Sequence, residues 1–113
     1  MLLVSYRMPP LDPQNVLPLH GEIDLNVSPE IATTFTEMVR TRPRRILVDM
    51  TDVTYIDSSG LAVLINGMQQ VKEYGRKFAL IGLQDDVRSI LQTARLDQLF
   101  ATYPHVDAAL EAD

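Results

Sequence analysis

The chain has 113 residues, the size of one domain, and no internal repeat is visible. Hydrophobic residues make up 46% and charged residues 22%, and mean hydropathy is +0.01, which describes a globular chain with enough apolar material for a core and excludes a disordered one. A net charge of −5 argues against general nucleic-acid binding, and the lack of cysteine excludes disulfides and thiolate metal sites.

Met1 to Arg7 is a candidate first strand. Its apolar run, Met1-Leu2-Leu3-Val4, is too short for a signal peptide, and no run approaches the length of a membrane-spanning helix, so the expected location is the cytoplasm. Pro9, Pro10 and Pro13 make Met8 to Asn15 a loop. Val16 to His20 reads as a short strand in which Pro18 must sit where no ladder donor is needed, and it runs into Gly21-Glu22-Ile23-Asp24. Ser28-Pro29-Glu30 is a helix start, with Ser28 expected to cap and Ile31, Phe35, Met38 and Val39 on one face. Pro43 ends that helix. Arg40, Arg42, Arg44 and Arg45 lie around it, where a solvated helix end is the ordinary reading and an anion site the lesser one.

Arg45 to Met50 is the central strand, and its unbroken Ile46-Leu47-Val48 implies burial on both faces of a parallel sheet. Asp57-Ser58-Ser59-Gly60 then joins it to a helix whose buried stripe is Leu61, Leu64, Ile65, Met68 and Val71, and which Gly75 stops. Phe78 to Ile81 is the next buried strand. Asp85 or Asp86 is expected to cap a third helix with Val87, Ile90, Leu91 and Ala94 inward. Leu99 to Tyr103 forms a last short strand, and Val106 to Ala112 a short acidic helix. Strands alternating with helices over this length predict a single small α/β domain with a mostly parallel sheet. Loops that follow strands are the functional edge of such folds, which brings Asp24 near Asp57 and Ser59.

Several chemistries fail on these residues. A nucleophile elbow needs Gly two positions either side of the serine; Ser58 has Ile56 before it, and Ser59 has Asp57 and Leu61. The two histidines, His20 and His105, are the only candidate bases, so no catalytic residues are assigned and no enzyme activity is expected. Gly21, Gly60, Gly67, Gly75 and Gly82 form no nucleotide fingerprint. His20, Glu22 and Asp24 alternate as metal ligands on a strand would, but nothing supplies a fourth ligand, so neither metal nor cofactor is expected. What remains is an acid and two hydroxyls at a helix start, where unpaired N–H groups and the dipole favour a carboxylate or phosphate. On the residues alone, Asp, Ser and Gly here are first of all ordinary capping and turn residues, and Ser59 as a regulatory phosphorylation site is the lesser reading.

His20-Gly21-Glu22-Ile23-Asp24, the strand Ile46 to Met50, Val53-Thr54-Tyr55-Ile56-Asp57-Ser58-Ser59-Gly60-Leu61, Lys77 to Gly82 and Val87 to Phe100 together resemble the STAS domain family (sulfate transporter and anti-sigma factor antagonist) over nearly the whole chain. Within the family the resemblance is to the stand-alone bacterial anti-sigma factor antagonists. It implies a STAS domain spanning residues 1–113, a mostly parallel or mixed sheet of four to five strands with about four helices, described as a βα superhelix. It implies a partner that is an anti-sigma factor serine/threonine kinase, which phosphorylates Ser59, and a PP2C-type phosphatase that reverses this. Asp24 and Asp57 match acidic positions beside the site, Ser58 the neighbouring hydroxyl, and Gly60 and Leu61 the start of the partner-binding helix. The expected partners include neither nucleic acid nor membrane, and the expected state is a monomer. The resemblance also allows a second role, a constitutive STAS subunit of a stress-signalling or lipid-transport ATPase complex.

Overall fold

The computed structural model describes residues 15–112, so the candidate first strand at Met1 to Arg7, and the loop after it up to residue 14, lie outside the described residues. Among the described residues, four strands and four helices alternate: β1 (Val16–Ile23), α1 (Ser28–Val39), β2 (Arg45–Ile56), α2 (Ser58–Glu73), β3 (Lys77–Ile81), α3 (Asp85–Thr93), β4 (Ala101–Tyr103) and α4 (Val106–Glu111). The strands pair in sequence order, β1-β2-β3-β4, and every pair is parallel. Each crossover therefore needs a helix, which explains the strict alternation.

The uninterrupted apolar run in β2 is buried on both faces, as parallel pairing requires. Ile46, Val48 and Met50 face the main core with Phe35, Met38, Leu64, Val71 and Leu80, while Leu47 faces the opposite layer with Ala79, Ile81 and Ala109 of α4. Phe35 packs edge-on to Phe78 with ring centroids 5.6 Å apart. Gly67 of α2 is buried because a Cβ there would stand 2.8 Å from the Phe35 ring, so the glycine lets α1 and α2 approach closely.

Several boundaries differ from the sequence expectation, each for a local reason. β2 continues to Ile56, well past Met50, and β1 continues to Ile23. Their register slips between Pro18 and His20 and again between Gly21 and Glu22, where Gly21 takes φ +72°, so Pro18 is tolerated beside an irregularity. α1 ends at Val39, before Pro43, and Arg42 turns the chain with φ +50°. α3 is entered through the extended residue Gln84, whose Nε2 donates to the Thr51 carbonyl at 2.7 Å. Asp85 and Asp86 therefore lie inside the first turn and do not cap it, though their charge suits the dipole there. Val87 and Leu91 are buried and Ile90 half-buried, but Ala94 follows the helix end and is exposed. β4 begins at Ala101, not Leu99, and His105 caps α4 by accepting the Ala108 amide at 3.1 Å.

Candidate functional site

The parallel pairing of β1 with β2 sets Ile23 opposite Ile56, so the residues that follow, Asp24 and Asp57, leave neighbouring strand ends on one edge of the sheet. The Asp57 amide donates to the Ile23 carbonyl at 3.1 Å, one last ladder bond before the chain turns into α2. Gly60 fixes how closely that turn sits. A Cβ there would lie 2.6 Å from Ile56 Cγ1 and 2.7 Å from the Ile23 carbonyl oxygen, so only glycine lets the first turn of α2 rest on both strand ends.

Asp57 is the N-cap of α2. Its Oδ1 accepts from the amides of Ser59 at 2.9 Å and Gly60 at 3.1 Å, and from the Ser59 hydroxyl at 2.6 Å. Two of the helix's orphan donors are thus satisfied by one carboxylate. The Ser59 hydroxyl, then the Gly60 amide, hold the Asp57 carboxyl below the ordinary value of 3.8, with smaller help from the Ser59 and Leu25 amides. It is an anion at neutral pH, and the Ser59 Oγ–H is aimed at it.

The Ser59 oxygen also accepts a hydrogen bond, at 3.2 Å, from the hydroxyl of Ser28. Ser28 was expected to cap α1; instead it is the first residue of that helix and is 3% exposed. The capping work is done by the preceding turn. The Asp24 carbonyl accepts from the amides of Val27 at 3.1 Å and Ser28 at 2.9 Å, while the Asp24 carboxylate accepts from Asn26 at 2.9 Å. With its own amide satisfied, Ser28 turns its side chain inward to Ser59. A serine–serine–aspartate chain results: Ser28 donates to Ser59, and Ser59 donates to Asp57.

Of the residues the sequence singled out, Asp57, Ser59 and Gly60 are in direct contact. Leu61 follows them, half-buried against the core, its amide donating to the Asp57 carbonyl at 2.9 Å. Asp24 lies on the adjacent strand end with its carboxylate engaged by its own turn, and Ser58 is exposed. Ser28 was missed as a site residue because a serine before Pro-Glu is the ordinary sign of a cap. Leu25 was missed as well: it is 72% exposed between Asp24 and Asn26, and a lone leucine in a polar turn was the available signal. Tyr55, 47% exposed, adds a second exposed apolar surface next to the site. Among the described residues, His20, Glu22 and Asp24 do not converge, and no group of three His, Asp or Glu side chains is placed to hold a metal ion.

No helix of the described residues is long and apolar enough to cross a membrane. The chain is 25% identical over 93 residues to the anti-sigma-B factor antagonist of Staphylococcus aureus, covering 82% of each. It superposes with a TM-score of 0.81 on an anti-sigma factor antagonist from Mycobacterium paratuberculosis, at 24% identity and over 94% of this chain and 92% of that one. The phosphorylated form of SpoIIAA, a cell-fate determinant of Bacillus, superposes with a TM-score of 0.70 at 15% identity, over 96% of this chain and 100% of that one. These two likenesses are of fold. The STAS domain family model matches residues 8–109. With that match over most of its length, and with the parallel sheet and helix-capped strand end described above, the chain belongs to the STAS domain family.

Proposed function

We propose that this protein is an anti-sigma factor antagonist whose unphosphorylated form binds an anti-sigma factor serine/threonine kinase and releases its sigma factor, and that phosphorylation of Ser59 switches the binding off. The observation that carries the reading is the half-buried Ser59 hydroxyl, held 2.6 Å from the Asp57 carboxylate at the N-terminus of α2. The chain supplies the acceptor and the docking surface; the kinase supplies the chemistry, and a PP2C-type phosphatase restores the serine. The relative from Staphylococcus aureus carries an antagonist's name, and the Bacillus neighbour has a phosphorylated form. Both support this reading, which places the protein with the transcription machinery of the cytoplasm.

The geometry gives the switch its size. Esterification removes the proton that Ser59 donates to Asp57 and adds a charge of about −1.5 to −2. A dianion some 5 Å from a carboxylate is repelled by about 2 kcal/mol in water and about 7 kcal/mol at the effective dielectric of a closed interface. The α2 N-terminus offsets about 0.3–1 kcal/mol of this. The remainder matters little while the site is open to solvent and becomes large when a partner covers it. A hundredfold loss of affinity needs only about 2.7 kcal/mol, so no change of fold is required.

The test is capture from native lysate, with ADP present, using wild type and the variants Ser59→Ala and Ser59→Asp, with bound proteins identified by mass spectrometry. A serine-kinase-type anti-sigma factor held by wild type and Ser59→Ala, and lost by Ser59→Asp, is the expected result. Equal retention by all three baits, or a transport ATPase as the stable partner, overturns the switch and favours a constitutive subunit.

A further inference from the structure

The opposite edge of the sheet carries a different chemistry. Arg40, Arg42, Arg44 and Arg45 close α1 and open β2, and Lys72, Arg76 and Lys77 close α2 and open β3, which gathers most of the chain's ten Lys and Arg residues at one pole of an acidic protein. Between the two groups lies an open cleft of about 520 Å³. Met68 and Phe78, each 5% exposed, and Leu99, 41% exposed, form its apolar lining. Arg44, Lys72 and Arg76 stand on its rim, all exposed, and among the described residues none of the three has a carboxylate within ion-pair distance. Lys77 is otherwise committed: its ammonium donates to the Tyr103 hydroxyl at 3.3 Å and lies 5.2 Å from that ring's centroid. The Tyr74 hydroxyl donates to the Pro43 carbonyl at 3.0 Å, and Arg42 lies over the same ring, so the loop that presents Arg44 is tied to the end of α2.

We propose that this cleft is a docking site for an acidic peptide segment of a partner protein. An apolar side chain of the segment sits against Met68, Phe78 and Leu99, and its flanking carboxylates meet Arg44, Lys72 and Arg76. Charge complementarity selects the occupant's sign, because three uncompensated like charges around one cleft repel each other and are relieved by an anion. The recess selects its shape. A nucleic acid needs a basic track along several phosphates and open aromatic faces for stacking, whereas here the cations surround one cleft and Phe78 is buried. A membrane-binding face projects its apolar side chains, and two of these three are recessed. A peptide side chain entering from outside fits both features.

The site is independent of Ser59. Along α2, Ser59 lies nine residues before Met68 and thirteen before Lys72, about 14 and 20 Å at helix rise. Lys72 on the rim is thus more than two Debye lengths away at physiological salt, so the charge of a phosphate on Ser59 is largely screened at the cleft. The protein can therefore hold one partner at the cleft while the other pole is switched.

Fluorescence anisotropy with a labelled synthetic peptide, acetyl-EELDELFEE-amide, at low salt tests this. Saturable binding is expected. It should weaken about tenfold or more in the triple charge reversal R44E/K72E/R76E, by the loss of three exposed ion pairs. It should also weaken several-fold when the peptide's Leu and Phe are replaced by Ser, and be unchanged by Ser59→Asp. Circular dichroism of the triple variant checks that the fold is retained, since all three side chains are exposed. No saturable binding to wild type, equal binding by the triple variant, or loss of binding in Ser59→Asp overturns the proposal. Tighter binding of an oligothymidine or of phosphatidylglycerol vesicles than of the peptide overturns the peptide as occupant.

Discussion

Gly60 is the residue on which the placement of the candidate site rests, and Gly60→Ala measures that dependence. In an open helix the change is favourable by about 1 kcal/mol, because alanine is the better helix former. Here the added methyl would stand 2.6 Å from Ile56 Cγ1, 2.7 Å from the Ile23 carbonyl oxygen and 2.9 Å from Ile23 Cγ2. The side-chain contacts can yield, but the carbonyl is backbone in the β1–β2 ladder and accepts from the Asp57 amide. Relief requires α2 to lift from the strand ends, which exposes apolar surface of Ile23 and Ile56 and loosens the cap. Overpacking of this kind costs about 1–3 kcal/mol, with the upper part of the range expected where backbone is involved. Less the propensity gain, the net loss is about 2 kcal/mol, or a melting temperature lower by about 8–16 °C for a domain of this size. Thermal unfolding followed by far-UV circular dichroism reads it directly. Gly75→Ala is the control: its Cβ meets nothing within 4 Å, but its φ of +79° costs about 1 kcal/mol or more in left-handed strain. Gly60→Ala should melt below Gly75→Ala. If it melts at or above wild type, the first turn of α2 is not seated on the strand ends as described.

Two further outcomes follow from the hydrogen-bond chain at the site. Ser28→Ala should lower stability by about 1 kcal/mol, the net value of one part-buried hydrogen bond, and a double-mutant cycle with Ser59→Ala should recover most of that as coupling; additive losses would mean that the two hydroxyls do not communicate. Asp57 has a carboxyl held low in the folded state, so its contribution to stability is present above the ordinary value of 3.8 and is lost as pH falls through the lower folded-state value. The difference in melting temperature between wild type and Asp57→Asn should therefore be flat from pH 7 to about pH 5 and narrow below pH 3.8; a gap that stays constant down to pH 2.5 contradicts the Ser59 and Gly60 contacts as its source.

Element order was readable from the chain because each signal was local: an apolar triplet in β2, a Pro-Glu helix start, a glycine at φ +79° after α2. The placing of Asp24 and Asp57 after neighbouring strand ends was readable too, since parallel strands send their following loops to one edge. Three features were not. The last half of β2 shows burial at Val53 and Ile56, three residues apart, which no period of two predicts. The register slip at Gly21 and Glu22 resets the phase, and that slip exists only in the paired strands. The inward turn of Ser28 depends on Asp24 having already satisfied the helix's first donors, a competition between two acceptors that residue type does not decide. The basic cleft joins Arg44 to Lys72 and Arg76 across about thirty positions of sequence. Only the packing of α1 beside α2, both ending at the same pole, brings them together.

The two poles have a common physical origin. In a parallel β/α chain every strand's C-terminal end meets the N-terminus of a helix, and every strand's N-terminal end meets a helix C-terminus. Helix dipoles therefore favour anions at the first edge and cations at the second. Asp57 caps α2 at one edge, and Lys72 and Arg76 close it at the other. A phosphate on Ser59 would enter the edge where the backbone already favours negative charge, so the domain itself tolerates it. The repulsion from Asp57 then grows only when an interface excludes water and lowers the local dielectric. On the proposed function, such an arrangement would regulate contacts without a change of fold, and the cationic edge would stay outside the switch. Under the two proposals together, one small domain carries two binding events of opposite electrostatic character, at opposite ends of α2.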